Sequence, residues 1–310
     1  MSKIPVGATI AQAYRFAFGG FAQILRIIWL PWLIVAAGGF LLRPSTVALS
    51  TAFTTRDFAN ISHLLMPMIP FYVLTVILLF MQITGITQQA LGLPTGSPYY
   101  YFSVGKPVWR LLVAFLLAAA IMVGSYIFLL AAGILLGLII SVLGKLMNFS
   151  DLTRGVLAIA GVIAFMMAFC AYIYTLVRLT FFLNPVTVAE QQISLKRSWA
   201  LGRGNFWRIV LVLLAIIVPI MAVQLVLLFG LLMHGLPPTV PLHATADQIA
   251  ANRALIAAWN ADIIKRGNDY WYIVYPIYAV IAGLFYGLGC GAQCFAYRAL
   301  VPEAPSANPL

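Results

Sequence analysis

"SLKRSWALGRGNFWRIVLVLLAIIVPIMAVQLVLLFGLLM", residues 194–233, sets Lys196, Arg197, Arg203 and Arg208 among tryptophans and glycines, directly before an uncharged apolar run. In a soluble protein, cations interleaved with aromatics suggest a nucleic-acid surface. Here the run from Ile209 to Met233 is long enough, at 1.5 Å per helical residue, to cross a hydrocarbon core of about 30 Å. The basic stretch is therefore read as a membrane edge. Composition agrees: 63% of the 310 residues are apolar and 8% charged, where a soluble chain carries about 25% charged residues. The mean hydropathy is +1.02. The chain is read as an all-α integral membrane protein.

Working outward, six stretches qualify as spans: about 21–42, 64–91, 111–144, 155–178, 207–233 and 270–297. The third would reach about 51 Å as one helix, yet two crossings and a turn need about 40 residues or more. It is therefore read as one helix that tilts, overshoots or bends near Gly133 and Gly137. The first span starts too late and runs too long for a cleaved signal peptide, so it is expected to stay as an anchor. No segment between spans is large enough for a soluble domain, which leaves one polytopic membrane domain over 1–310. Pro31, Pro67, Pro70, Pro219 and Pro276 each free a carbonyl and are candidate kinks.

With six spans the termini share a side. That side holds Lys3, Arg15, Arg26, Lys106, Arg110, Arg178, Lys196, Arg197, Arg203, Arg208 and Arg298, eleven cations against seven opposite. Lys and Arg near span ends favour the cytoplasm, so both termini are predicted there. The same sorting accounts for the net charge of +11 without a nucleic-acid partner.

Three interfacial helices are expected, at about 5–20, 186–202 and 245–265. Pro185 is expected to end the fourth span and open the second of them. On that helix Glu190, Arg197 and Ser198 share one side, and Lys196 sits in the apolar arc, where it can snorkel. Trp199, Phe206 and Trp207 belong at headgroup depth, with Gly202 and Gly204 turning the chain into the next span. The third begins with a capping box, Thr245 to Gln248, and keeps Ile249, Leu255, Ile256, Trp259 and Ile263 for an apolar face, lying on the outer surface or capping the bundle. A repeat is also visible. "AYRFAFGGFAQIL" (13–25) aligns with "SWALGRGNFWRIV" (198–210), and more weakly "GKPVWRLL" (105–112) places Trp109 and Arg110 over Trp207 and Arg208. Three duplicated hairpins and convergent interface chemistry both fit this pattern.

The run "RLTFFLNPVTVAEQQISLKRSWALGRGNFWRIVLVLL" (178–214) resembles poorly characterised bacterial six-span membrane proteins, including the membrane domain attached to some glycerophosphoryl diester phosphodiesterases. The resemblance marks Arg178, Pro185, Glu190, Ser198, Asn205 and Arg208 as the family pattern, and it implies a bacterial inner membrane. It does not carry over the phosphodiesterase activity, which belongs to a separate catalytic domain for which this chain has no room.

Catalytic groups are sparse. His63, His234 and His243 lie at span ends or loops without ligand spacing, no carboxylate falls mid-span, and Cys170, Cys290 and Cys294 read as small packing residues. No metal, cofactor or enzymatic activity is expected. Gln82, Thr84, Thr87, Gln88 and Gln89, with Gln224 and Gln293, suit interhelical hydrogen bonds, or a polar path through Gln88, Gln224 and Gln293. Glu190 is expected to pair with Arg178, Arg197 or Arg208. Two functions stay open: a non-enzymatic protein binding anionic lipid headgroups or a membrane partner, itself or another protein, in envelope homeostasis, and a solute or lipid transporter or channel. Lys196, Arg197, Arg203 and Arg208 carry the first, because each cation near an anionic leaflet is worth about 1 kcal/mol.

Overall fold

A computed structural model describes residues 3–55, 58–93, 101–147, 150–227, 229–230, 239 and 245–301. Among them every regular element is helical. In chain order these are α1 (Val6–Gly19), α2 (Phe21–Leu41), α3 (Arg43–Thr55), α4 (Phe58–Leu65), α5 (Ile69–Leu91), α6 (Lys106–Leu146), α7 (Asp151–Thr180), α8 (Leu183–Ala189), α9 (Leu195–Leu201), α10 (Phe206–Leu227), α11 (Ala246–Asp269) and α12 (Trp271–Leu300). A 3₁₀ turn, Met66–Met68, joins α4 to α5. Six helical segments are long and apolar enough to cross a membrane, and they match the six expected stretches. The protein is an all-α polytopic membrane protein.

The last helix is the organiser: α12 packs against α1, α2, α5, α8 and α10. Its means is a glycine every fourth residue, Gly283, Gly287 and Gly291, which puts bare backbone on one face. A Cβ on Gly287 would lie 2.6 Å from the Ile24 side chain and 3.4 Å from that of Ala17, and one on Gly291 would lie 3.6 Å from the Ala13 backbone. The α1–α2 pair therefore fits along α12 because those side chains are missing.

That packing changes the place of α1. Ile4 donates its N–H to Asn205 Oδ1 at 3.1 Å and Tyr14 donates its hydroxyl to the Ala215 carbonyl at 2.9 Å, the same 201-residue offset at both points. So α1 runs alongside the first half of α10, in the same direction, with Ala13 and Ala17 buried. The expected interfacial helix over 5–20 is thus a packed member of the bundle. Small residues at Ala13 and Ala17 give it a face that fits another helix closely.

The third span is one helix through Gly133 and Gly137, as expected. Its 41 residues reach about 61 Å. With α7 it forms a hairpin whose outer halves expose apolar side chains on most sides, and Gly133 sits against the Phe165 ring. At the opposite end of α5, two helices fill what the sequence left as a loop: α3 and α4 pair through Leu49, Ala52, Ile61 and Met68. Pro67 lies in the 3₁₀ turn and Pro70 in the first turn of α5, where a missing N–H costs nothing. Pro31, Pro219 and Pro276 lie inside α2, α10 and α12. The capping box at Thr245 and Gln248 forms and opens α11, which leaves Ile249 and Leu255 exposed.

Candidate functional site

The largest departure from expectation lies in 186–202. One interfacial helix was expected; the chain instead forms two short ones, and α8 is buried at every position from Leu183 to Val188. The physical reason is in the residues: "LNPVTVA" carries no charge on any face and only Asn184 and Thr187 as polar side chains, so burying it costs little. It packs against α5, α6 and α12. Pro185 is its third residue, not its first, still among the N-terminal positions whose N–H groups have no intrahelical partner. Charge begins at Glu190, and there the helix stops. Gln191 takes φ +52°, a left-handed value uncommon for a side-chain-bearing residue, and reverses the chain toward α9.

Around this reversal α7, α8 and α9 pack against one another. Ser194 caps α9 by accepting the Arg197 N–H at 3.2 Å. The Ser198 hydroxyl donates to the Leu179 carbonyl at 2.7 Å, one of the carbonyls that the end of α7 leaves without a helical partner. Gly202 is needed for closeness, since a Cβ there would meet the Arg178 backbone at 3.4 Å. Gly204, at φ +76°, supplies the left-handed turn into α10. Its aligned counterpart Gly19 is the last residue of α1 and has no such conformation, so the two copies of the repeat turn differently.

Arg178 is 5% exposed and has no carboxylate partner among the described residues. Its guanidinium lies 3.9 Å from the Trp199 ring centroid, donates Nη2 to the Trp199 carbonyl at 3.0 Å and donates Nη1 to the Tyr174 hydroxyl at 2.7 Å. Aromatic faces and a carbonyl replace a counter-ion, which suits the fixed planar charge of arginine. Glu190 takes Arg197 instead, at 3.1 Å, and also accepts from Gln192 Nε2 and the Tyr297 hydroxyl, both at 3.0 Å. Partial burial pushes the Glu190 carboxyl up, but the bonds from Gln192, Arg197 and Tyr297 outweigh it and leave the group below its ordinary value. Of the three partners expected for Glu190, Arg197 is the one found. Arg208 donates Nη1 to the Ile4 carbonyl at 2.7 Å, so Asn205 and Arg208 together hold both backbone groups of one residue before α1. Nothing in the spacing of the sequence pointed to Ile4 or Tyr297.

Lys196 and Arg203 have exposed side chains, and no ion pair holds either among the described residues. Trp207, four residues beyond Arg203 in the chain, is 74% exposed. The three residues of the polar path share no hydrogen bond among the described residues: Gln88 accepts from the Tyr101 hydroxyl, Gln293 accepts from Asn184, and Gln224 lies half-buried on α10. Cys290 and Cys294 are buried on α12, with the Cys294 thiol 3.8 Å from the Thr87 carbonyl, while Cys170 is exposed. His63 is exposed on α4; His234 and His243 lie outside the described residues. No family model, curated protein or solved structure matches the chain.

Proposed function

We propose that this is a non-enzymatic protein of the bacterial inner membrane, with both termini cytoplasmic, that holds anionic lipid headgroups at the α9–α10 corner in support of the envelope. The observation that carries the reading is the division of labour among the cations. Arg178, Arg197 and Arg208 are engaged by protein groups, whereas Lys196 on α9, Arg203 at the α9–α10 turn and the indole of Trp207 at the start of α10 all stand exposed. Open cations and an amphipathic ring on one corner suit a phosphate with an acyl chain attached. Metal, cofactor and nucleic acid have no part in this reading. Gln88, Gln224 and Gln293 share no hydrogen bond among the described residues, which gives the transport alternative less support.

Native mass spectrometry of gently purified protein, titrated with phosphatidylglycerol or phosphatidylcholine, tests it. The wild type is expected to retain phosphatidylglycerol preferentially. At about 1 kcal/mol per cation, Lys196→Gln with Arg203→Gln weakens that retention roughly 30-fold. Equal retention of both lipids, or an unchanged double variant, refutes the reading. The same spectra count subunits, and so test a homo-oligomer or bound protein partner.

A further inference from the structure

Most threonines on these helices satisfy their hydroxyls locally. Thr46, Thr51, Thr75, Thr84, Thr175 and Thr180 each donate to the carbonyl four residues back. The buried hydroxyls of Thr9, Thr87 and Thr187 meet no protein partner among the described residues. Thr187, on α8, is 1% exposed. Three residues earlier, Asn184 is 5% exposed and its Oδ1 is equally unpartnered.

Asn184, Thr187 and Glu190 follow one another at intervals of three, which puts them on one face of α8 and its cap. Both ends of that row are tied to α12. Asn184 Nδ2 donates to Gln293 Oε1 at 2.7 Å, and Glu190 accepts from the Tyr297 hydroxyl at 3.0 Å, Gln293 and Tyr297 being one turn apart. Thr187 therefore stands between two bridges that join the same two elements, with an unpaired hydroxyl beside an unpaired amide oxygen.

Buried polar groups in proteins are almost always bonded, and where no protein atom does it, water does, typically through about three hydrogen bonds. We propose that water enters from the basic rim at Glu190 and runs in file along the α8–α12 contact, past Thr187, to Asn184 and Gln293. Glu190 has 18% of its side chain exposed, so the row opens to solvent at that end. Six residues of helix rise about 9 Å, a length that about three molecules span at hydrogen-bond spacing. The occupant is neutral. The only carboxylate of the row is already held by Arg197, which disfavours a cation, and the inner end offers an amide oxygen, an acceptor that repels an anion.

Radiolytic labelling of the whole protein in detergent tests this, because hydroxyl radicals form from the water itself wherever it sits. The Tyr297 ring is 2% exposed, and Met81 on α5 is wholly buried as a dry comparator. Tyr297 is expected to be oxidised in a millisecond pulse while Met81 is spared, and Thr187→Val is expected to cut the Tyr297 yield several-fold without raising the melting temperature. Tyr297 as inert as Met81 in the wild type overturns the proposal, and that measurement needs no variant. So does a Thr187→Val protein that melts higher with its labelling unchanged, since removing a dry hydroxyl relieves a burden and removing a hydrated one does not.

Discussion

Glu190 shows how one residue carries several demands at once. Its carboxylate takes the charge of Arg197, the amide of Gln192 and the hydroxyl of Tyr297, so it ties the α8–α9 reversal to the end of α12. Hydrogen bonds to a charged group are worth about 1.5–3 kcal/mol, and an exposed ion pair adds less than about 1. Glu190→Gln is expected to lower stability in detergent at pH 7 by about 1–3 kcal/mol. Because the folded carboxyl titrates below its ordinary value of 4.5, its contribution is present above that value and is lost as pH falls through the lowered one. The melting curves of wild type and variant should therefore converge on acidification. Identical melting at pH 7 would remove Glu190 from this role. The sequence offered three partners for Glu190 without choosing, because the choice is made by Gln191, whose left-handed φ no composition or periodicity encodes.

At the scale of elements, the spans were legible because about 20 uncharged residues leave a helix few alternatives to the bilayer. Short helices were not. Residues 186–189 read as the opening of an interfacial helix because Glu190, Ser194, Arg197 and Ser198 group on one side of a helix running on to 202; taken alone, 183–189 is uncharged and is buried from Leu183 to Val188. The segment from Arg43 to Leu65 lacked any apolar run long enough to register, yet α3 and α4 cover each other through Leu49, Ala52 and Ile61, with Met68 of the following 3₁₀ turn in the same cluster. The small residues around Cys290 and Cys294 read as close-packing positions, and Gly283, Gly287 and Gly291 do form the contact surface of α12. Gly287→Leu is expected to force Ile24 and the Ala17 backbone away from α12 and to cost roughly 1–3 kcal/mol, as overpacking of close helices does. Gly137→Leu, where a Cβ meets nothing within 4 Å, is the control and should leave the melting temperature unchanged. Equal effects at the two positions would mean that the α12 stripe is not a tight interface.

For the whole molecule, the lysine and arginine asymmetry makes a prediction that no contact within the bundle supplies. Cysteines placed at residues 3 and 247 should react with an impermeant maleimide from opposite sides of the membrane, residue 3 from the cytoplasm. Labelling of both from one side would overturn the sixfold crossing and the orientation together. What no local reading of the sequence could reach is that distant segments close the structure: Ile4 meets Asn205, Tyr14 meets Ala215, and Ala13 and Ala17 meet Gly291 and Gly287. That arrangement has a consequence for biosynthesis. A ribosome makes α1 long before α12, so α1 must wait in the translocon or the bilayer, its alanine face without a mate, until α12 has emerged. A nascent polypeptide stalled before residue 280 would leave its amino-terminal segment open to protease, and release of the finished chain would shut it away.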